Sequence, residues 1–367
     1  MKRLMLSALG AGLIATGAGA QTPAAGDLKG QMLTDAQYAA LIEAARAATP
    51  PKDGDSYSFA FANLQRDISF GVKVEGGIVD NAEAAGAELV IADNRLDGAT
   101  ALQNAQSFVR RDVDYVIEFQ TDVNFGPRIM QEFDRAGIPV IAIDIPMPGA
   151  TFFGANNPRS GFMGGSFLGQ AAIAEWGAGA VNAGYLVVGE LPQSGAIPAM
   201  RTGGQIAGFL AVADSFPEDH IIRIDTKNTL QESFTQMNNV LGRIPEGAAI
   251  MGIAINDQST TGMLRAVKQA GREDSALFVG MGADEVETVA SEPRFVASVG
   301  YFPERYGNYL IPMALMELGG QDLPPAVLVN HVMVTKANIC DFYAEVDCAA
   351  GPGFTFEFPQ AAFEDHL

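Results

Sequence analysis

Short apolar runs alternate with amphipathic segments along the chain from Tyr57 onward. The runs are rich in β-branched and aromatic residues and are bounded by Gly, Pro, Asn or Asp, which predicts strands. The predicted strands span 57–63, 88–92, 115–119, 139–143, 184–188, 220–224, 250–255, 276–280 and 295–300, with a last β-like run at 326–335. Between them apolar residues recur at steps of three and four, as in Leu102, Ala105 and Val109, which indicates helices.

Near-continuous apolar strands separated by helices predict parallel sheets covered on both faces. The fold class is therefore α/β and doubly wound. A length of 367 residues favours two smaller sheets over a single one, with a break near 156–160, where ANNPRSG interrupts the rhythm. Residues 21–54 are interpreted as an N-terminal extension with one amphipathic helix from Asp35 to Ala47.

The charge balance restricts the class of partner. The chain has 43 acidic and 23 basic residues and a formal net charge of −20, while 48% of its residues are hydrophobic. Such a composition predicts a packed globular protein with an acidic surface. This surface repels phosphate backbones and anionic lipids, so we expect no nucleic-acid partner and no membrane insertion, and small ligands remain open.

The N-terminal 20 residues have the pattern of a signal peptide. Lys2 and Arg3 precede an apolar stretch from Leu4 to Ala15, and Ala18-Gly19-Ala20 forms a cleavage site before Gln21. The alternative, a buried N-terminal helix, is disfavoured because no cap precedes it. No cysteine follows the cleavage site to carry a lipid, so we expect a soluble protein in the periplasm of a Gram-negative bacterium.

The chain has two cysteines, Cys340 and Cys348. In an oxidising compartment they are expected to close a short loop as a disulfide, and two buried thiols are the alternative. The three histidines lie far apart in sequence, and neither a His-x-x-x-His nor a Cys-x-x-Cys motif is present. We therefore predict no metal site and no cofactor.

Polar residues follow most of the predicted strands, at the sheet edge where open α/β folds bind ligands. Each also fits a helix N-cap or an Asx-turn, a role that suits Asp122 and Asp257 well. With Phe70, Phe119 and Tyr301 they match a polyhydroxylated ligand, since planar amides and carboxylates pair hydroxyls and aromatic faces cover C–H surfaces. The polar candidates are Asn63, Arg66, Asp67, Asp93, Asn94, Gln120, Thr121, Asp122, Asp144, Asn156, Asn157, Gln193, Ser194, Asp225, Lys227, Asn228, Asn256, Asp257 and Asp284.

Catalytic and phosphate-binding templates are missing from the sequence. It contains no Walker loop, no Gly-x-Ser-x-Gly elbow and no strand followed by Gly-x-Gly-x-x-Gly. The glycines of GFMGGSFLG, at 161–169, are three or four residues apart, which is typical of close helix packing.

The order and spacing of the motifs from about Ser56 to Asn338 resemble those of the type I periplasmic sugar-binding proteins, the ribose- and galactose-binding family that feeds ABC importers. The first loop, NLQRDISFG, puts Asp67, Ser69 and Phe70 at the family's contact positions. VIAIDIP matches its strand-end acid with Asp144, and IAINDQS matches its Asn-Asp pair, with Asn256 as the contact. Tyr301 in VGYFPERYG and Asn228 in DTKNTLQ fall at or near further contact positions.

The sequence also departs from the family pattern. Ile145 replaces the arginine that often follows the strand-end acid. Gly282 stands where the family usually has an aspartate, with Asp284 two residues later. Gln205 occupies the position of a helical arginine, while Arg201 lies one turn earlier, from which its long side chain could reach the same space.

The resemblance implies two doubly wound lobes joined by a hinge of three crossovers, near Asn156, Phe302 and Asn330. The implied division is a signal peptide (1–20), the extension (21–54), an N-lobe (55–156 plus 303–330), a C-lobe (157–302 plus 331–350) and a tail (351–367). The implied function is non-enzymatic capture of a monosaccharide or polyol by a monomer that delivers it to an ABC permease in the inner membrane.

Other functions share parts of this pattern. A sensory module that presents its closed form to a chemoreceptor or histidine kinase would have the same sequence features. An exported α/β enzyme would also place acidic residues at its strand ends. A LacI-type regulator has the same fold, but the signal peptide and the lack of a basic helix-turn-helix argue against it.

Overall fold

The computed structural model of the protein describes residues 23–120 and 122–366. The predicted signal peptide lies outside the described residues. Within them the strands are β1 (Ser58–Asn63), β2 (Glu88–Asp93), β3 (Tyr115–Glu118), β4 (Val140–Ile143), β5 (Thr151–Ala155), β6 (Tyr185–Glu190), β7 (Ile221–Asp225), β8 (Ile250–Ala254), β9 (Ala276–Gly282), β10 (Phe295–Gly300), β11 (Ala326–Val329) and β12 (Val332–Val334).

Helices separate most of the strands and cover both faces of the sheets. They are α1 (Asp35–Ala48), α2 (Ser69–Ala84), α3 (Gly98–Arg110), α4 (Gly126–Ala136), α5 (Asn157–Trp176), α6 (Ala178–Asn182), α7 (Ala196–Leu210), α8 (Leu230–Leu241), α9 (Asp257–Gln269), α10 (Val286–Ser291), α11 (Gly307–Leu318) and α12 (Gln360–His366).

The strands form two six-stranded sheets. The first has the order β11-β5-β4-β3-β1-β2 and is parallel throughout; the second has the order β12-β10-β9-β8-β6-β7 and is parallel except for β12, which runs antiparallel to β10. We call the units built on them the N-lobe and the C-lobe. The predicted fold class, two doubly wound parallel-sheet lobes, is confirmed.

Two features of the sheets were not predicted. Strand β5 was missed because TFFGA is short and contains Gly and Ala, which favour strands weakly. The run 326–335 was predicted as one element, but Asn330 and His331 divide it into β11 of the N-lobe and β12 of the C-lobe.

The chain passes between the sheets three times: from β5 to β6, from β10 to β11 and from β11 to β12. His331 lies on the third passage and forms hydrogen bonds with the backbone of the first and second passages. Its Nε2 accepts a hydrogen bond from the Asn156 N–H at 3.0 Å, and its Nδ1 donates to the Gly300 carbonyl at 3.1 Å. Burial lowers the pKa of His331 to about 4, so the ring is neutral near pH 7, as an accepting Nε2 requires.

The N-terminal extension packs on the N-lobe. Thr34 and Gln37 form a capping box at the start of α1, which was predicted over 35–47. Its apolar face buries Leu41 and Ala45 in the same core as Leu310 and Ala314 of α11. The extension therefore adds a helix to the apolar core of this lobe.

The residues beyond 350 pack on the C-lobe. Phe354 and Phe356 each lie with ring centroids 5.2 Å from that of Phe167, and Phe358 lies 5.8 Å from Phe162. These aromatic contacts fix the last segment against α5.

Helices α5 and α7 approach each other through glycines, which confirms the helix-packing interpretation of GFMGGSFLG. A Cβ on Gly161 would lie 2.0 Å from the Arg201 carbonyl oxygen, and one on Gly165 would lie 1.9 Å from that of Gln205. From the other helix, a Cβ on Gly208 would lie 2.1 Å from the Phe162 oxygen. Only glycines on both helices permit this backbone contact.

We expect Gly165→Ala to destabilise the protein by about 1–3 kcal/mol, because its methyl group meets backbone that cannot rotate away. Gly203→Ala in α7 is the matched control, since a Cβ there meets nothing within 4 Å; it should be neutral or slightly stabilising. Urea unfolding of the two variants measures the difference, and equal stability would show that the helices are free to separate.

Candidate functional site

A cleft lies between the lobes at the carboxyl ends of the strands. The space open to the centre of a water molecule is about 50 Å³, enough for more than one water. Residues from both lobes line it: Leu64, Ile68, Phe70, Phe119, Asp144, Ile145, Leu191, Ser194, Pro198, Arg201, Asn228, Ile255, Asn256, Met281 and Tyr301.

Asp144 is the charged residue that the N-lobe contributes to the cleft. It follows β4 with a left-handed φ of 55°, and its Oδ1 accepts the Ala155 N–H at 2.9 Å. Gly154 makes room for this carboxylate, because a Cβ there would lie 2.3 Å from Oδ1. Burial raises the pKa of Asp144, and the positive charge of Arg201 and the bond from Ala155 oppose that shift.

Arg201 of α7 is the charged residue on the C-lobe side. Its Nε donates to Asn157 Oδ1 at 2.8 Å and its Nη1 to the Ile255 carbonyl at 2.7 Å. The guanidinium carbon lies 4.9 Å from the centroid of the Tyr301 ring, and the Tyr301 hydroxyl donates to Ser160 Oγ at 2.9 Å. These contacts hold the guanidinium rigidly, while its Nη2 takes part in neither hydrogen bond.

Asn228 and Asn256 form an amide pair at the ends of β7 and β8. Asn256 caps α9, since its Oδ1 accepts the Ser259 N–H at 2.8 Å, and its Nδ2 donates to Asn228 Oδ1 at 2.7 Å. Asn256 thus fills the N-cap role and lines the cleft at once. The Nδ2 of Asn228 takes no part in this pair.

The two lobes touch beside the cleft. Phe70 at the start of α2 packs edge to face against Phe119 and against Tyr301, with centroid distances of 6.2 and 6.5 Å. Ser69 Oγ donates to the main-chain oxygen of Asp284 at 2.9 Å. The arrangement is a closed cleft with aromatic contacts at its edge.

Seven of the fifteen predicted ligand-binding residues line this cleft. They are Phe70, Phe119, Asp144, Arg201, Asn228, Asn256 and Tyr301. The structure places the other eight nearby but outside the lining: Arg66, Asp67, Ser69, Asn94, Gln120, Asn157, Gln205 and Asp284.

The eight residues outside the lining have different surroundings. Arg66 and Asp67 are exposed, and Arg66 pairs with Glu75 at 2.5 Å. Asn157 orients Arg201, as described above. Gln205 donates from Nε2 to the Ala254 carbonyl at 2.8 Å, which ties α7 to β8.

Asp284 contributes its backbone rather than its carboxylate. A Cβ on Gly282 would lie 2.1 Å from Asp284 Oδ1, so the carboxylate lies over Gly282. Burial raises the pKa of Asp284 well above its usual range, and the neighbouring Asp257 adds to the shift. The carboxylate is buried behind the cleft instead of facing it.

Asn94 and Gln120 lie in a buried polar layer behind Phe119. Asn94 donates to Glu118 Oε1 at 2.8 Å and to the Phe119 carbonyl at 3.1 Å. Both side-chain polar atoms of Gln120 are buried without a partner among the described residues. Burial raises the pKa of Glu118 to about 8, while the bond from Asn94 opposes the shift.

Sequence reasoning missed the apolar part of the lining. Leu64, Leu191 and Ile255 follow directly after β1, β6 and β8, at positions where only polar side chains were expected to meet a ligand. Ile145 was noted as a departure from the family pattern. The position of these apolar residues just after strands is the signal that would have identified them.

Cys340 and Cys348 form a disulfide with a Cα–Cα distance of 5.2 Å. In the described part of the chain, no cluster of His, Cys, Asp and Glu is suited to hold a metal ion. No helix among residues 23–120 and 122–366 is both long and apolar enough to cross a membrane.

Comparison with known proteins agrees with this architecture. A family model described as a periplasmic binding protein domain matches residues 59–322. The chain belongs to this family. The resemblance drawn from the motifs is confirmed, and so is the prediction of a non-enzymatic protein, because this is a family of binding proteins.

Two relatives that are named for a ligand are similar to this chain at low sequence identity. The ribose import binding protein RbsB of Escherichia coli is 23% identical over 270 residues, which cover 73% of this chain and 86% of that protein. A putative rhizopine-binding protein of Rhizobium meliloti is 27% identical over 288 residues, covering 75% and 89%.

A solved structure gives the same picture of the fold. An ABC transporter solute-binding protein from Bacillus halodurans with bound myo-inositol superposes with a TM-score of 0.66 at 18% identity, covering 80% of this chain and 99% of that one. The two-lobed fold is therefore shared with solute-binding proteins.

We expect the Glu118→Gln variant to gain stability relative to the wild type as the pH rises. The folded pKa of Glu118, about 8, exceeds the usual 4.5. Folding thus favours the protonated acid, and the stability associated with it is lost as the pH rises from about 4.5 through 8. Glutamine keeps the neutral shape and accepts from Asn94 as before.

Urea unfolding between pH 5 and 9 measures this effect. Glu83→Gln, at an exposed position of α2, is the control and should follow the wild type. Other buried acids change the slope in all three proteins, so only the difference between variants reports on Glu118. Parallel pH profiles of the wild type and Glu118→Gln would contradict the prediction.

Proposed function

We propose that this protein captures a monosaccharide or related polyol between its lobes and delivers it to an ABC importer. The observation that carries the proposal is that Asp144 from the N-lobe and Arg201 from the C-lobe line the same cleft. A carboxylate accepts from ligand hydroxyls and a guanidinium donates to them, so the two can bind neighbouring hydroxyls in opposite senses.

Closure of the lobes follows from this division of contacts. The lobes touch through Ser69 and Phe70, and the enclosed space is small, so a sugar enters only if the lobes first separate. A ligand that contacts both lobes then favours the closed state by its differential affinity. The closed form is the state that a permease would recognise.

The lobe boundaries that we propose correspond to the three passages of the chain between the sheets. We propose an N-lobe of 55–156 plus 303–330, a C-lobe of 157–302 plus 331–350 and a tail of 351–367. The proposed setting is the periplasm, with a monomer that docks on an inner-membrane permease. The acidic composition supports small neutral ligands over nucleic acid or anionic lipid.

A thermal-shift screen of the protein from Gln21 onward against pentoses, hexoses, deoxysugars, polyols and nucleosides tests the function. Ligand at about a hundred times its Kd adds about 2.7 kcal/mol of stability, which a melting curve resolves easily. If no polar small molecule raises the Tm of the folded protein, the binding role is wrong.

For the sugar found in the screen, we expect Asp144→Asn to weaken binding at least about tenfold by calorimetry. Asparagine tolerates the left-handed backbone and still accepts from Ala155, but the ligand bond loses its charge, which is worth about 1.5–3 kcal/mol. The Tm without ligand should fall as well, because Arg201 loses its buried counter-charge, so the affinity is measured on the folded variant.

Asp93→Asn is the control for this variant. Asp93 also ends a strand of the N-lobe sheet, but it accepts from the Arg95 N–H and does not line the cleft. The affinity of the Asp93→Asn variant for the sugar should equal that of the wild type. Unchanged affinity in Asp144→Asn would place the ligand elsewhere.

A further inference from the structure

The N-lobe side of the cleft is almost entirely apolar. Apart from Asp144, the residues that it contributes to the lining are Leu64, Ile68, Phe70, Phe119 and Ile145. Each is at most 9% exposed, so they form a continuous dry wall and not scattered contacts. A ligand face that lies against this wall has no hydrogen-bonding side chain to meet except at Asp144.

Much of the hydrogen-bonding capacity of the polar lining is already used within the protein. Asp144 Oδ1 accepts from Ala155, Asn256 Oδ1 caps α9, and Asn228 Oδ1 accepts from Asn256. In Asp144, Arg201 and Asn228, the groups outside these bonds are Oδ2, Nη2 and Nδ2, respectively. Only the first of the three can accept a hydrogen bond from a ligand hydroxyl.

The three remaining groups lie on a common strip of the lining. Arg201 bonds the carbonyl of Ile255, which directly precedes Asn256, and Asn256 bonds Asn228. Asp144 lines the same cleft as Arg201, close enough for the guanidinium to oppose the rise in the Asp144 pKa that burial causes. The polar groups of a ligand are therefore best met along this strip, and its apolar groups against the wall.

The charges along this strip compensate each other. Asp144 and Arg201 are both buried, at 7% and 8% exposure, and carry opposite charge. An acidic ligand would bring a second anion to Asp144, and a cationic one would face Arg201, each at low dielectric. The pair therefore favours a neutral ligand.

These observations identify a ligand class, on the premise that the proposed function is correct. We propose that the ligand is a neutral deoxysugar or O-methylated sugar. Its hydroxyls bind along one edge to Asp144, Arg201 and Asn228, and its methyl or methylene groups pack against Leu64, Ile68 and Ile145. A hydroxyl turned towards that wall would lose its water without gaining a partner.

Calorimetric titration with matched sugar pairs tests the ligand class. The pairs are L-fucose with L-galactose, D-fucose with D-galactose, L-rhamnose with L-mannose, 2-deoxy-D-ribose with D-ribose, and 3-O-methyl-D-glucose with D-glucose. In at least one pair the deoxygenated or methylated member should bind at least about tenfold tighter than its hydroxylated partner.

A variant at Ile145 locates the preference on the wall. Ile145→Thr keeps the β-branched shape and adds a hydroxyl that can pair with the ligand, so it should reduce the ratio of affinities within that pair severalfold. Val72→Thr makes the same kind of change at a position that is 54% exposed and outside the lining, so it is the matched control and should leave the ratio unchanged. If Ile145→Thr leaves the ratio of affinities unchanged, the wall does not determine the preference for the deoxygenated or methylated sugar.

The outcomes separate this inference from the proposed function. If a sugar binds but every hydroxylated member binds as tightly as its partner or tighter, the ligand class is wrong and the function stands. If no member of any pair binds and the thermal-shift screen also detects no ligand, the proposed function is wrong, and the ligand class is wrong with it. Binding by an unrelated polyol alone overturns only the ligand class.

Discussion

The close contact of α5 with α7 is the constraint on which the C-lobe side of the cleft depends. Glycines at 161 and 165 on one helix and at 204 and 208 on the other let the backbones meet directly. At this separation Asn157, in the first turn of α5, reaches Arg201 of α7. Any larger residue at these positions would carry Arg201 away from its partners.

A buried guanidinium needs such precision because an unpaired charge in a dry site is costly. Arg201 satisfies two of its nitrogens with Asn157 and the Ile255 carbonyl and lies over the ring of Tyr301. Its orientation is thus fixed by three different elements. Because the side chain is already fixed, its ordering adds no cost when a ligand binds to the cleft that Arg201 lines.

The same residues connect the site with the hinge. The ring of Tyr301 lies 4.6 Å, between centroids, from that of His331, which bonds the backbone of the other two passages between the lobes. Tyr301 therefore packs against the ligand cleft on one side and against the hinge on the other. Tyr301 thus joins the lining of the cleft to the chain passages between the lobes.

The regular alternation of strands and helices made the fold predictable, whereas the roles of the polar strand-end residues were predictable only in part. The sequence shows that Asn256 follows a strand and fits a helix N-cap, but not that its side-chain nitrogen donates to Asn228 while its oxygen caps α9. Asn94 is likewise occupied with Glu118, and Arg66 with Glu75. Which donor or acceptor remains for a ligand depends on tertiary contacts that no local pattern records.

Asp257 explains why the C-lobe contributes no carboxylate to the cleft. Its Oδ1 accepts from the Ser298 hydroxyl at 2.6 Å, and its Oδ2 accepts the N–H groups of Asp284 at 2.9 Å and Glu285 at 3.3 Å. This buried acid shapes the turn after β9 and directs the Asp284 carbonyl towards Ser69 of the N-lobe. Because the carboxylate of Asp284 lies over Gly282, the turn contributes a main-chain contact between the lobes, and Asp144 is left as the acid that lines the cleft.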